Sequence, residues 1–320
     1  MDDLKDYFSS RKIPTTSIAD GLELPSFFSA VEKEYWAVRK SVGIFDFSFM
    51  STVEIIGHDV RSMLALIQSR DCNNLDIGKI FYTMLLDKQG LVWLDATIWH
   101  LDEDRFWIIT GCSITQYLHQ ISKLFKDIFI KDLSCEYQYI AIQGPKSGEL
   151  ICKFFNLSKA DLPHFFSFIP RFSINGALLA RLGYTKEIGY ELVVPKKFAI
   201  NIWKDLSSDQ IYLPAECGFL AADILRIEAG YILYSKELLK PRQLGINKKC
   251  HLKDLVKIRF TKEKQIFKKT NLFTKFQQPV VEVTSKVFSP SQGCYIGLGF
   301  SKSAELNTDI VELAYNEYVG

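Results

Sequence analysis

The sequence lacks any long apolar run, which argues against a membrane-spanning helix. None of its runs approaches the roughly 18 apolar residues that such a helix needs. Residues 1–6 are acidic and lack the basic-then-apolar layout of a signal peptide. We therefore expect a cytoplasmic protein that has no membrane as a partner.

Clustered cysteines and histidines are also missing. The seven cysteines are odd in number and include no Cys-x-x-Cys pair, and the five histidines are dispersed along the chain. This pattern favours reduced thiols and argues against a disulfide framework or a metal centre. Neither Gly-x-Gly-x-x-Gly nor a phosphate-binding loop occurs, so flavin, NAD and ATP sites lack support.

The composition is that of an ordinary soluble globular protein. The chain has 320 residues, of which 48% are hydrophobic, 13% aromatic and 24% charged. This length predicts two or three domains. Helical and strand patterns are mixed without strict alternation, which indicates an α+β fold. One helix is predicted from about residue 215 to 229, and short strands after about residue 245 predict a small C-terminal β-domain.

Basic residues are concentrated in one segment. Residues 236–275 contain 13 Lys or Arg against three acids, whereas the net charge of the whole chain is only +2. The segment either binds an anionic partner or forms a solvated, lysine-rich surface. Its aromatic residues are too sparse to indicate nucleic-acid binding.

The stretch 78–100 predicts a β-hairpin around which the rest can be organised. Two apolar runs flank Asp87-Lys88-Gln89-Gly90, where glycine closes the turn. Side chains alternate along the second strand, so Asp95 shares one face with four others, namely Leu91, Trp93, Thr97 and Trp99. A carboxylate within an apolar strand needs a partner. Three partners are possible: a cation of the protein, the N–H groups of a ligand, or hydrogen-bond donors on a neighbouring helix.

Six segments in order resemble the aminomethyltransferase (glycine cleavage T-protein) superfamily of folate-binding proteins. They are the helix and Asp-x-Ser-x-Met turn at 31–50, the hairpin with Asp95, Gln143-Gly144-Pro145, Tyr-Thr-Lys-Glu-Ile-Gly-Tyr-Glu at 184–191, Asp-Ile-Leu-Arg-Ile-Glu-Ala-Gly at 223–230 with Leu233-Tyr234, and elements of 283–298. Together they span nearly the whole chain. Lys186 stands where the superfamily pattern has glycine.

The resemblance implies three domains around a central channel that holds tetrahydrofolate. In this sequence, residues 1–245 would form a two-lobed α+β region, and residues 246–320 would form the C-terminal β-domain. The lobes would comprise about 1–50 plus 135–245, and 51–134.

Site residues are likewise implied by the resemblance. Asp95 would be the catalytic group near the folate nitrogens, and Glu187 would bind the amino-pyrimidine edge of the pterin. Arg226 would face the same channel and hold a carboxylate. The other implied cofactor-binding residues are the candidate walls Tyr82, Met50 and Tyr234, together with Tyr184 and Glu191 of the 184–191 motif.

Each assignment has a structural alternative. The two glutamates of the motif could merely cap turns, Arg226 could pair with Asp223 on its own helix, and the walls could be core residues.

The function implied is a tetrahydrofolate-dependent one-carbon transferase that takes a methyl or aminomethyl group from a small-molecule donor. Tyr35-Trp36 and the run 103–107 look closer to the demethylase branch of the superfamily. One alternative is the aminomethyltransferase (T-protein) of the glycine cleavage system, whose acidic lipoyl carrier protein could dock on segment 236–275. A second alternative is a folate-binding regulatory or scaffold protein without catalytic activity.

Overall fold

A computed structural model describes residues 3–18, 22–72, 74–170, 176–238, 255–260, 271–273, 279–301 and 311–313. Its α-helices are α1 (Leu4–Ser10), α2 (Val31–Lys40), α3 (Val60–Ile67), α4 (Thr115–Ser122), α5 (Ser147–Phe155), α6 (Lys196–Ser207) and α7 (Phe219–Ala229). A short 3₁₀ helix covers Lys159–Asp161, and a π-helical turn covers Tyr234–Leu238. Within these ranges, no helix is both long and apolar enough to cross a membrane.

The strands are numbered in chain order. They are β1 (Thr15–Ser17), β2 (Glu23–Pro25), β3 (Gly43–Asp46), β4 (Ser51–Ile56), β5 (Ile80–Leu86), β6 (Val92–Asp102), β7 (Arg105–Thr110), β8 (Phe129–Asp132), β9 (Tyr137–Gln143), β10 (Phe168–Pro170), β11 (Leu178–Ala180), β12 (Gly189–Pro195), β13 (Ala215–Cys217), β14 (Leu255–Phe260), β15 (Asn271–Phe273), β16 (Pro279–Ser289), β17 (Cys294–Ser301) and β18 (Val311–Leu313). This mixture confirms the predicted α+β class.

Three larger sheets organise the described chain. The first has six strands in the order β10-β11-β12-β9-β3-β13, and only its β3–β13 pair is parallel. The second is antiparallel, with the order β5-β6-β7-β4-β8. The third, β15-β16-β17-β14-β18, is the predicted C-terminal β-structure. The exact domain boundaries stay a prediction.

The predicted hairpin is confirmed. Strands β5 and β6 pair antiparallel, with Tyr82 opposite Thr97 and a bulge near Leu85. Gly90 adopts a φ of 73°, a left-handed conformation that glycine adopts without a Cβ penalty. Asp87 accepts hydrogen bonds from the N–H groups of Gln89 and Leu91 at 2.8 and 3.0 Å, so its side chain holds the turn closed.

The first and second sheets share one hydrophobic core. Tyr139 of the first sheet packs in the same buried cluster as Trp99 and Trp107 of the second, and none of the three is more than 2% exposed. Because both sheets contribute large aromatic side chains to this cluster, its packing holds the two sheets against each other. The cavity described below is lined from both sheets.

The helix predicted from about residue 215 begins later than expected. Residues 215–217 form strand β13, which runs parallel to β3, and α7 begins at Phe219. Between them, the N–H of Gly218 donates to the buried carboxylate of Glu34 at 2.9 Å. A Cβ at Gly218 would approach the backbone of Ser26 within 2.3 Å, so this position is closely packed against another part of the chain. These tertiary contacts explain why the helix begins at Phe219 and not at residue 215.

Candidate active site

A cavity of about 710 Å³ lies where the two larger N-terminal sheets meet the segment after α7. Its described lining contains two acidic side chains and no lysine, arginine or histidine. Aromatic residues form much of the remaining wall, namely Phe47, Phe49, Tyr82, Trp93, Phe165, Phe166, Tyr184, Phe219, Tyr231 and Tyr234. Such a concave, mainly apolar site with a few polar groups is typical of a small-molecule or cofactor site.

The first acidic group, Asp95, belongs to the hairpin. Its neighbours on the same face of β6, Trp93 and Thr97, also line the cavity. The Tyr82 hydroxyl on β5 donates to Oδ2 of Asp95 at 3.2 Å. Burial raises the pKa of Asp95 to about 6, the Tyr82 hydrogen bond opposes that rise, and the negative charge of Glu237 adds to it. The hairpin thus presents a carboxylate that takes up a proton at about pH 6, above the ordinary range of an aspartate.

The second acidic group, Glu191, is the more deeply buried. It lies on β12 opposite Ala141 of β9 and is 9% exposed. Burial alone raises its pKa to about 7. Within the described part of the chain, its carboxylate has no hydrogen-bond or ion-pair partner. Donors for this group can therefore come from a ligand in the cavity.

The loop before Glu191 is fixed at several points. Tyr184 lines the cavity, and its hydroxyl donates to the carbonyl of Ile232. Burial raises the pKa of Tyr184 well above its ordinary value, which keeps it a neutral hydrogen-bond donor. The Thr185 hydroxyl donates to the side chain of Gln143 at 3.0 Å, and Gln143 is fully buried. These contacts join the loop to β9 and to the segment after α7.

Glu187 does not line this cavity. Arg39 on α2 donates to its Oε1 at 2.8 Å and also to the carbonyl of Thr185 at 3.0 Å. The Arg39 guanidinium is shared with Glu228, so Glu187 belongs to an ion-pair cluster at α2. The structure therefore separates the two glutamates of the motif and brings only Glu191 to the cavity.

Arg226 also lies away from the cavity lining. It is 1% exposed and donates to Asp223 at 2.7 Å, to Glu237 at 2.9 Å and to the Ser285 hydroxyl at 2.8 Å. The pair with Asp223 is the structural alternative noted above. Because Glu237 belongs to the π-helical turn that begins at Tyr234, Arg226 supports the cavity wall indirectly.

The structure brings six of the eight predicted site residues to the cavity, and they are Asp95, Tyr82, Met50, Tyr234, Tyr184 and Glu191. Several wall residues were not predicted. Trp93 could have been found, because strand alternation puts it on the face of Asp95. Phe165 and Phe166 lie in an irregular phenylalanine-rich stretch that carries no periodic signal.

Comparison with known proteins identifies the family. The model of the GCVT N-terminal domain family matches residues 10–253. Over 236 residues the chain is 36% identical to an aminomethyltransferase of Bacillus subtilis, and over 234 residues it is 30% identical to one of Staphylococcus saprophyticus. Each match covers 71% of this chain but only 64% and 63% of the respective relatives.

A solved structure establishes the fold. The glycine cleavage system aminomethyltransferase T from Bartonella henselae superposes with a TM-score of 0.79 at 22% identity, over 93% of this chain and 89% of that one. The predicted T-protein-like arrangement is therefore confirmed at the level of the fold. Because the family model matches residues 10–253, this chain belongs to the GCVT N-terminal domain family.

Proposed function

We propose that this protein is a tetrahydrofolate-dependent one-carbon transferase, which passes a methyl or aminomethyl-derived carbon from a donor to N5 of tetrahydrofolate. The observation that carries the proposal is the aromatic cavity with two acidic side chains and no cation among its described lining residues. A reduced pterin is flat and rich in N–H donors, so it complements aromatic walls and carboxylates. The similarity to proteins named aminomethyltransferase supports the same reaction class.

In this proposal Glu191 binds the amino-pyrimidine edge of the pterin. That edge presents adjacent N–H donors, which a carboxylate accepts with its two oxygens. Glu191 suits this role because it lines the cavity and has no partner in the described chain. Glu187, which the motif match favoured, suits it less because Arg39 already occupies its carboxylate.

Asp95 is proposed as the catalytic group. Tetrahydrofolate, when bound, supplies the secondary amine that accepts the one-carbon unit. The carboxylate of Asp95, oriented by the Tyr82 hydroxyl, stabilises positive charge that develops beside it in a mainly apolar cavity. Its pKa of about 6 leaves Asp95 mostly ionised at pH 7.5, as this role requires.

Calorimetric titration with tetrahydrofolate, followed by a single-turnover assay with methyl and aminomethyl donors, tests the proposal. Asp95→Asn keeps the shape and removes the charge. We expect the variant to bind tetrahydrofolate within a few-fold of the unmodified protein but to react about 10²–10³-fold more slowly. Failure of the unmodified protein to bind tetrahydrofolate would refute the function. Unchanged turnover in Asp95→Asn would refute the role of this residue.

A more specific candidate is the aminomethyltransferase of the glycine cleavage system, which the names of the relatives favour. It predicts an acidic lipoyl-carrying protein as the partner at segment 236–275, most of which lies outside the described residues. Capture of a lipoylated carrier protein at low salt, with loss at high salt, would support this candidate over a small-molecule methyl donor. The non-catalytic alternative predicts tetrahydrofolate binding that Asp95→Asn leaves unchanged and no turnover with any donor.

A further inference from the structure

A glycine lies beside Asp95 in the wall of the cavity. Strands β6 and β7 pair antiparallel, and Ala96 lies opposite Thr110, the last residue of β7. Asp95 precedes Ala96 and Gly111 follows Thr110, so the same register brings Gly111 to the level of Asp95 on the neighbouring strand. Both residues line the cavity. The wall next to the carboxylate therefore carries no side chain at this position.

Neither the backbone conformation nor close packing requires a glycine here. The φ of Gly111 lies outside the left-handed region. Among the described residues, a Cβ built on Gly111 would meet only Tyr234, at 3.9 Å, which is an ordinary van der Waals contact. Gly183, which also lines the cavity, differs, because a Cβ there would approach the Gln143 side chain within 2.5 Å. Gly111 thus leaves a space of about one methyl group, which we call the glycine niche, between its backbone and Tyr234.

Hydrogen bonds fix both walls of the glycine niche. Tyr234 begins the π-helical turn, and the N–H of Leu233 just before it donates to the buried carboxylate of Glu237 at 2.8 Å. On the other side, the Thr110 hydroxyl donates to the carbonyl of Cys112 at 2.7 Å and so holds the backbone around the glycine. Because packed and hydrogen-bonded walls yield little, the niche has room for a side-chain methyl or for a ligand group, but not for both.

The position of the niche beside Asp95 indicates what it accepts. Asp95 is the group assigned above to the charge that develops at the reacting nitrogen, and the transferred carbon is attached to that nitrogen. We propose that Gly111 is a specificity-determining residue, whose niche accepts the one-carbon unit on N5 of tetrahydrofolate and limits this unit to about the size of a methyl group. This inference rests on the proposed function.

Calorimetry with tetrahydrofolate and 5-methyltetrahydrofolate tests the inference, because the two ligands differ only by the carbon on N5. The unmodified protein should bind them within a few-fold of each other. Gly111→Ala places its own methyl group in the niche, so it should bind tetrahydrofolate within about twofold of the unmodified protein but 5-methyltetrahydrofolate about 10- to 100-fold more weakly. Gly111→Ser should show the same selective loss. Thermal unfolding should show no loss of stability in Gly111→Ala, since the backbone there suits any L-residue.

Gly148→Ala is the matched control. Gly148 lies on α5 and does not line the cavity, so this variant should bind both ligands as the unmodified protein does. If the unmodified protein binds tetrahydrofolate but binds 5-methyltetrahydrofolate more than about 100-fold more weakly, N5 has no such space and the inference is wrong whatever the variants do. A Gly111→Ala variant that binds both ligands normally, or loses both equally, also refutes it while the proposed function stands. If the unmodified protein binds neither ligand, the proposed function fails first.

Discussion

Replacement of Glu191 by glutamine should stabilise the ligand-free protein while it weakens ligand binding. Burial raises the pKa of Glu191 to about 7 from an ordinary value of 4.5. Between these two pH values the folded protein keeps a proton that the unfolded chain has released, so the free energy of unfolding falls as the pH rises. Below pH 4.5 both states are protonated, and above pH 7 both are ionised, so the full loss persists at alkaline pH.

The magnitude follows from the two pKa values. At about 1.36 kcal/mol per pH unit, the interval from 4.5 to about 7 amounts to about 3 kcal/mol. Water in the cavity screens part of this destabilisation, so we expect the ionised Glu191 to lower the free energy of unfolding by about 2–3 kcal/mol. Glutamine is neutral at every pH, so Glu191→Gln should gain this amount at about pH 8, or ~3–5 °C in Tm. At about pH 4.5 the two proteins should differ by less than ~0.5 kcal/mol.

Urea unfolding without ligand, followed by tryptophan fluorescence at several pH values, measures this difference. Glu187→Gln is the matched control, because it makes the same change four residues away but breaks the ion pair with Arg39. That variant should lose stability between about pH 6 and pH 8. A Glu191→Gln gain that is absent at pH 8, or equally large at pH 4.5, would contradict the reasoning.

Ligand binding should change in the opposite direction. Loss of charge-assisted hydrogen bonds to the pterin edge should weaken tetrahydrofolate binding about 10- to 100-fold in Glu191→Gln. Glu187→Gln should retain most of the affinity, because its side chain lies outside the cavity lining. If Glu187→Gln lost binding and Glu191→Gln kept it, the motif-based assignment of the pterin carboxylate to Glu187 would be favoured.

Two further predictions concern stability. Lys186 is exposed and has a φ of 64°, so Lys186→Gly should raise the free energy of unfolding by about 0.5–1 kcal/mol in urea titrations; a loss of stability would show that the lysine side chain makes a compensating contact. Glu237→Gln leaves the Arg226 guanidinium with a weaker partner in a fully buried site and should cost about 3–5 kcal/mol. Its control, Glu136→Gln, disrupts an exposed pair with Lys131 and should leave stability almost unchanged; equal effects of the two variants would contradict the importance given to burial.

Strand periodicity was sufficient to predict the part of the site that lies on the hairpin. Alternation puts Trp93, Asp95 and Thr97 on one face of β6, and all three line the cavity. The prediction succeeded because the period of a strand is a local property of the backbone. Trp99 shares the same face yet packs in the core. Periodicity therefore predicts which face of the strand a side chain occupies, but not whether that side chain reaches the cavity or the core.

Long-range contacts explain where sequence reasoning fell short. The local pattern offers no reason to prefer Glu191 over Glu187, since both belong to the same motif. What separates them is Arg39, which lies 148 residues before Glu187 and binds its carboxylate. Similarly, residues 215–217 became a strand because β3, far away in sequence, offered a parallel partner. Neither partner can be read from the local pattern.

The electrostatics of the cavity point to the kind of ligand that it binds. Two cations lie nearby, but the partly buried Arg39 is paired with Glu187 and Glu228, and the buried Arg226 is paired with Asp223 and Glu237. The acidic groups of the cavity have no such cation in the described chain, although a buried carboxylate without one lowers stability. Basic residues therefore neutralise the acids around the cavity and leave those inside it unneutralised. This arrangement selects a ligand that brings N–H donors or a developing positive charge, and a reduced pterin that accepts a one-carbon group brings both.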